Sequence, residues 1–358
     1  MPSIKPDWYC IVNPHAGSGK TMSEWAVAEK LLTTSSVPFK TTLTNYKFHA
    51  TLLAYEAGCH GYRKILAVGG DGSVHEVLNG ILRYCDEKGV PPEDFTLAVI
   101  PIGSGNDWIK SLGIPHDTHA VVERLAAGVF VCQDVVRVET RSYGGTQASS
   151  AAAAASTGSA GSAGSVGSAG SADSAGSVGS AGDGGAAAPA PVVSYMANIG
   201  GVGFDSHVCE RVNALKERGK RSKLIYLGAL LHTMFHTRAF HTRIVADGTT
   251  VFDGEAYSVA FGNGRYSGGG MRQVPLSEID DGVLDYMIVP KAGLLRILTQ
   301  LPRLYNGTVN ESGLLVTGRC AVLEMTGDNS VEMDGEVIGR LPLKITMTGS
   351  QICVPVGS

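Results

Sequence analysis

Three short glycine-rich runs place polar side chains where a phosphate could be gripped. Gly69-Gly70-Asp71-Gly72-Ser73 sets one carboxylate among three glycines and continues through Val74-His75-Glu76. Glycine lets the backbone approach a ligand closely and take positive φ, and Asp71 has no apolar reason to stand there. It would also serve as the N-cap of a following helix. Pro101-Ile102-Gly103-Ser104-Gly105-Asn106-Asp107 repeats the pattern of hinge, hydroxyl and carboxylate. The run Asn13-Pro14-His15-Ala16-Gly17-Ser18-Gly19-Lys20-Thr21 ends like a P-loop. That motif needs glycine five places before Gly19, where Pro14 stands, so it is not a Walker sequence. Its free N–H groups could still cradle phosphate at a helix N-terminus; as a tight turn and helix cap it would be equally ordinary. Asp334-Gly335-Glu336, taken alone, is a common hairpin turn.

The elements that must position these turns can be read from periodicity. Trp8 to Val12, Lys64 to Val68 and Thr96 to Ile100 are short apolar runs of strand type. Each leads into one of the turns, and Met22 to Leu32, Val74 to Tyr84 and Trp108 to Leu112 follow with helical spacing. Strands alternating with helices predict an α/β domain over residues 1–140, a Rossmann-like parallel sheet covered on both faces. Ligands of such sheets sit at the carboxyl ends of the strands, where all three turns fall. One glycine turn means little; three on successive strands of one sheet are hard to explain as turns alone.

From Gly144 to Pro191 the chain is almost entirely Ala, Gly, Ser and Val, its only charges being Asp173 and Asp183. The nonapeptide Ser162 to Gly170 recurs identically at Ser174 to Gly182. Such a tract has nothing to bury against its ordering entropy, so 144–191 is expected to be a flexible insertion. It lies between Val131 to Glu139 and Val192 to Asn198, as an expanded hairpin or inter-domain loop. Deleting Ala151 to Ala188 is therefore expected to leave activity within a few fold, as an assay of the shortened chain would test. Residues 192–358 contain many strand-like runs: Ser194 to Ile199, Thr242 to Ala246, Ala256 to Gly262, Leu284 to Val289 and Val322 to Met325. One helix, from about Arg211 to His236, interrupts them. A β-rich sandwich or partly closed barrel is expected, with its last strands free to return to the first domain.

The 358 residues suit two domains, and 44% hydrophobic content is enough for real cores. A formal charge of −4 gives no field for a polyanion, so nucleic-acid binding is disfavoured. Seven scattered cysteines without a CxxC read as reduced thiols, neither a disulfide frame nor a zinc site. No signal-like N-terminus and no apolar run long enough to span a bilayer is present, so a cytoplasmic chain is expected.

Together, NPxxG at 13–17, GGDG at 69–72 and GSGND at 103–107 resemble the diacylglycerol kinase catalytic domain family, which includes sphingosine and ceramide kinases. The likeness continues through Asn198-Ile199-Gly200-Gly201-Val202-Gly203-Phe204-Asp205, Gly262-Asn263, the Asp281-Gly282 turn and Met333-Asp334-Gly335-Glu336. It covers essentially the whole chain outside the Ala/Gly/Ser tract. GGDG is shared with NAD kinases and phosphofructokinases; GSGND with the late DGE is the more specific part.

The resemblance implies ATP and Mg²⁺ as cofactors and an ATP-dependent lipid kinase as the activity. It implies a nucleotide site of Asn13, Pro14, Gly17, Thr44, Gly69, Gly70, Asp71, Gly72, Ser73, Glu76, Gly103, Ser104 and Asn106. Ser104 stands where many relatives have threonine, and either hydroxyl can donate to a phosphate. Asp71, Asp107 and Asp134 resemble the acidic group that organises magnesium and water. A second, structural metal site is implied at Glu278, Asp281 and Val283. Glu336 matches the family's general base, with Asp334 as its rival. Diacylglycerol is the first acceptor implied, and a sphingoid base or ceramide the next. Peripheral contact with the cytosolic membrane face follows from such a substrate, and the resemblance admits a homodimer.

Lys216, Arg218, Lys220, Arg221 and Lys223, followed by Leu224-Ile225-Tyr226-Leu227, would suit an anionic membrane surface or, equally, a solvated helix face. His232, His236 and His241 have no zinc spacing and read as surface residues. Two rivals stand against the lipid kinase: an NAD kinase-like or phosphofructokinase-like enzyme of a soluble substrate, and a lipid- or nucleotide-binding protein without turnover.

Overall fold

The computed structural model describes residues 7–103, 105–142, 191–217, 232–233 and 236–355. Its first half is built on four parallel strands: β1 (Trp8–Val12), β2 (Phe39–Leu43), β3 (Lys64–Gly69) and β4 (Thr96–Pro101), in the order β2-β1-β3-β4. All five residues of β1 are buried, as are residues 65–69 of β3 and 97–101 of β4. Strands covered on both faces read as continuous apolar runs. The edge strand β2 (FKTTL) is half-exposed and polar, which is why periodicity does not announce it.

Helices α1 (Thr21–Thr34), α2 (His49–Cys59) and α3 (Asp71–Lys88) follow β1, β2 and β3. Helix α3 buries Val74, Val77, Leu78, Ile81, Leu82 and Cys85, the i, i+3, i+4 stripe of an amphipathic helix. It ends at Gly89, whose φ of 64° makes the left-handed C-cap that glycine adopts without strain. Beyond β4 come α4 (Asp107–Ser111) and α5 (Thr118–Ala127), the latter capped by the Asp117 side chain.

β5 (Phe130–Arg141) and β6 (Val192–Met196) are antiparallel neighbours, paired from Val136↔Met196 to Thr140↔Val192. The Ala/Gly/Ser tract that joins them lies outside the described residues. Next come β7 (Ile199–Gly203) and α6 (Phe204–Glu217), which starts seven residues before the predicted Arg211. The basic and apolar residues from Arg218 to Leu227 lie outside the described residues.

β8 (Phe240–Ala246), β9 (Thr249–Gly262), β10 (Leu284–Pro290), β11 (Val316–Cys320), β12 (Val322–Thr326), β13 (Ser330–Met333) and β14 (Glu336–Pro355) complete the sheet. The pairings β9-β7-β13-β14-β12-β8-β9 run in a closed circuit around Val202, Ile244, Phe261, Leu323, Val331 and Ile345. A mixed α/β first half thus joins a β-rich second half.

The twenty residues of β14 connect them. They begin in the second half beside β13, pair with β5 from Arg340 to Pro355, and reach β4 at Cys353↔Thr96. Ile352 and Val354 pack into the core of the first half.

Candidate active site

The ends of β1, β3 and β4 bring the three glycine turns into mutual contact. Asn13 Nδ2 donates to Ser73 Oγ (3.4 Å) and Asn13 N to Val68 O (3.0 Å), joining the first turn to the second. Ile102 N donates to Gly69 O (2.8 Å), joining the third. At Gly17, with φ +55°, a Cβ would lie 2.6 Å from Ile102 Cγ2, so only glycine fits where first and third turns meet. Thr44 is buried at the end of β1, its amide on Val12 O (2.9 Å). Asn106, in a left-handed conformation, directs its amide to Gly103 O (3.3 Å) and its Oδ1 toward Gly70. Pro14 lies in the first turn, and Ser104 lies outside the described residues.

Asp71 does not cap its own helix. Gly70 is the N-cap of α3, which has no side-chain cap. The Asp71 carboxylate instead crosses to the third turn and accepts from Asp107 N and Trp108 N, each at 3.2 Å, at the start of α4. Burial pushes its acid up to about 6, reinforced by the Asp107 charge and opposed by the two amides. Asp107 itself holds Lys110 Nζ (2.6 Å) and accepts Gly269 N (2.7 Å) from a loop of the second half. Lys110 answers the charge of Asp107, whereas the buried Asp71 carboxylate accepts backbone amides; two carboxylates from neighbouring turns offer the oxygen ligands that a divalent cation takes. The uncapped N–H groups at the start of α3 and the glycines around them fit a nucleotide's phosphates.

Asp134 makes its own hydrogen bonds to other partners. Its Oδ2 accepts Gly282 N (2.7 Å) and its Oδ1 accepts Gln351 Nε2 (2.9 Å), which fastens the 279–282 turn. In that turn Asp281 accepts Val283 N (3.2 Å) and pairs with Arg319, which also holds Asp285 at 3.2 Å. Asp281 and Val283 are thus together with Glu278 nearby in sequence, but an arginine answers the turn's charge. Among the described residues no three His, Cys, Asp or Glu side chains are arranged to hold a metal ion.

The two carboxylates of Asp334-Gly335-Glu336 have different surroundings. Asp334, at φ +52°, accepts Asn198 N on Oδ1 (2.9 Å) and both Ala197 N and His75 Nδ1 on Oδ2 (2.9 Å each). Burial presses the His75 ring toward neutrality, but Asp334 outweighs it, with Glu336 and Glu76 adding, and raises the imidazole. His75 comes from α3, so this buried pair clamps the two halves together. Glu336 is partly open. It pairs with Lys47 Nζ (2.9 Å), and a Cβ on Gly72 would lie 3.6 Å from its Oε1, directly over the second glycine turn. Glu76 accepts Ala50 N (3.2 Å), and burial, with Glu336 adding, raises its acid.

Sequence reasoning included His75 only as part of the Gly70 to Glu76 nucleotide run, not as a partner of Asp334, and assigned no role to Lys47. His75 is one residue before Glu76 in the second motif, a findable signal; Lys47 lies in an unremarkable loop before α2. Nor did it assign one to Asp205, which is buried against Ser258 and Gln273 (2.8 Å), or to Glu332. Burial raises both acids, the second strongly, with the Asp205 and Asp334 charges adding at Glu332.

Both halves of the chain match known proteins. Residues 7–138 match the diacylglycerol kinase catalytic domain, and residues 198–355 match the YegS C-terminal NAD kinase beta sandwich-like domain. A diacylglycerol kinase of Mycobacterium tuberculosis is 23% identical over 94% of this chain and 90% of its own. Sphingoid long chain base kinase 4 of Schizosaccharomyces pombe is 40% identical, over 26% of this chain and 20% of its own. The fold is shared with the crystal structure of a diacylglycerol kinase from Bacillus anthracis, at TM-score 0.64 and 18% identity over 98% of this chain and 97% of that one. The protein is a kinase with the two-part architecture of the lipid kinases. It belongs to the diacylglycerol kinase catalytic domain family.

Proposed function

We propose that this kinase transfers the γ-phosphoryl group of ATP to a hydroxyl of a membrane lipid, diacylglycerol first and a sphingoid base or ceramide next. The observation that carries the reading is the position of Glu336, with its carboxylate partly open over Gly72 where the three glycine turns meet. Asn13, Gly17, Thr44, Gly69 to Ser73, Glu76, Gly103 and Asn106 would line the nucleotide. Asp71 and Asp107 would hold Mg²⁺, which when bound neutralises charge on the phosphates.

Glu336 accepts the proton of the lipid hydroxyl as its oxygen bonds to the phosphorus, while ADP departs. Lys47 holds the Glu336 side chain in place. Asp334, with all its partners inside the protein, positions the turn rather than acting as base. Contact with the cytosolic membrane face would bring the enzyme to its substrate. No helix among the described residues is long and apolar enough to cross a membrane.

The test is Mg²⁺-dependent transfer of labelled γ-phosphate to diacylglycerol, monoacylglycerol, sphingosine, ceramide and a polyprenol in mixed micelles, with Glu336→Gln beside the wild type. One strongly labelled lipid, lost in the variant, is the expected result. Label reaching NAD or a sugar phosphate and no lipid would point to a soluble substrate. Lipid binding without ATP consumption would mean a binder.

A further inference from the structure

Cys132 on β5 and Cys353 on β14 stand directly opposite each other in the antiparallel register. Cys353 sends its amide the other way, to Phe95 O beside β4 at 3.0 Å. The N–H and C=O of one strand residue point to the same side, so Cys132 and Cys353 form a non-hydrogen-bonded pair. Such pairs bring Cα atoms to about 4.5 Å, with side chains at their closest. Disulfides span Cα separations of roughly 4.4–6.8 Å, which includes that distance. Facing residues of an antiparallel pair also project from the same face of the sheet.

That face is the outer one. Ile352 and Val354 on either side of Cys353 are buried, as is Gln133 beside Cys132. Cys132 is exposed and Cys353 half-buried. Cys10, Cys85 and Cys320 are buried, while Cys59 and Cys209 have no cysteine as a strand partner. The Cys353 thiol rests 3.7 Å from Glu93 O, a weak contact that a bridge would replace. Burial raises that thiol, with Cys132 and Glu93 adding, so the exposed Cys132 is the thiol that a reagent meets first.

We propose that Cys132 and Cys353 are a thiol–disulfide exchange site, forming a reversible intrachain bridge with small molecular disulfides of the glutathione type. The Cys132 thiolate attacks one sulfur of the disulfide, forming a mixed disulfide and expelling one thiolate. The Cys353 thiolate then attacks the Cys132 sulfur, forming the Cys132–Cys353 bond and expelling the second thiolate. Two electrons pass from the protein thiols to the small disulfide, and the two protein protons end on the released thiols. The bridge ties the end of the strand that begins with Glu336 to β5, closing a loop that contains the whole second half.

The full-length protein is incubated with glutathione disulfide, alkylated without reduction and digested with trypsin. The expected product joins Leu125–Arg137 to Ile345–Ser358, disappears on treatment with dithiothreitol, and is absent from both Cys132→Ser and Cys353→Ser. Both positions face outward, so the variants should fold as wild type, which circular dichroism checks. A glutathione adduct that stays on Cys132 without the joined peptide would overturn the proposal. So would a Cys132–Cys132 bridge between two chains.

Discussion

Asp334 and Glu336 are two residues apart and do different work, because one carboxylate is enclosed and the other is not. Three protein donors saturate Asp334, and its buried bond to His75 spans the two halves. Replacing it by alanine leaves His75 and two amides unpaired and is expected to cost about 3 kcal/mol or more in urea unfolding. Glu336→Gln removes a partly open ion pair with Lys47 and should lie within about 1 kcal/mol of wild type, yet lose roughly 10²- to 10⁴-fold in kcat. Equal destabilisation of the two variants would contradict this division. Asp71 carries a second, pH-linked expectation. Its acid is raised in the folded protein to about 6 from an ordinary value near 3.8. The folded state therefore binds the proton more tightly, and this group's contribution declines as pH rises from about 4 to 6, by up to about 3 kcal/mol. Urea unfolding of wild type and Asp71→Asn at pH 4 and pH 7 measures it: the wild type should lose stability relative to the variant. Transfer activity should rise over the same interval as the carboxylate ionises.

Helix α3 links the residues to the frame, since its first turn borders the glycine site and its third packs on α2. A Cβ on Gly80 would lie 2.3 Å from Thr51 O and 2.7 Å from Ala54 Cβ. Gly80→Ala should gain about 1 kcal/mol of helix propensity but force the two helices apart. A net loss of about 1–3 kcal/mol, seen as a lower urea midpoint, is expected; a more stable variant would show that α2 moves freely. Helix α3 was legible because its apolar stripe and its glycine ends agree. Strand β2 and helix α2 were not: β2 is a polar edge strand, and the left-handed Phe48 that starts α2 gives no compositional sign. Lys47 lies just there, which is why the residue paired with Glu336 escaped notice.

Across the molecule, β14 is the continuous piece that makes two halves one sheet. Its first residues pair with β13 and its last ones pack Ile352 and Val354 under the parallel strands. Calorimetry should therefore give a single cooperative transition, whereas two well-separated peaks would mean that the halves unfold independently. The parallel α/β half was readable because buried strands and amphipathic helices leave local periodic traces. The closed circuit of β7, β8, β9, β12, β13 and β14 was only partly readable, because antiparallel partners far apart in sequence leave no such mark.

The sequence by itself determined which residue types stand at each turn: the three glycine runs, the acid within two of them, and the late DGE that together carry the family likeness. Backbone freedom and side-chain chemistry are local properties, so order in the chain is enough to state them. Only the tertiary structure decided which carboxylates meet. It joined Asp71 to the third turn instead of its own helix, tied Asp134 to the 279–282 turn, and enclosed Asp334 with His75 while leaving Glu336 open beside Lys47. These are contacts between residues far apart in the chain, set by the sheet order and by how the two halves close, and neither leaves a trace in local spacing.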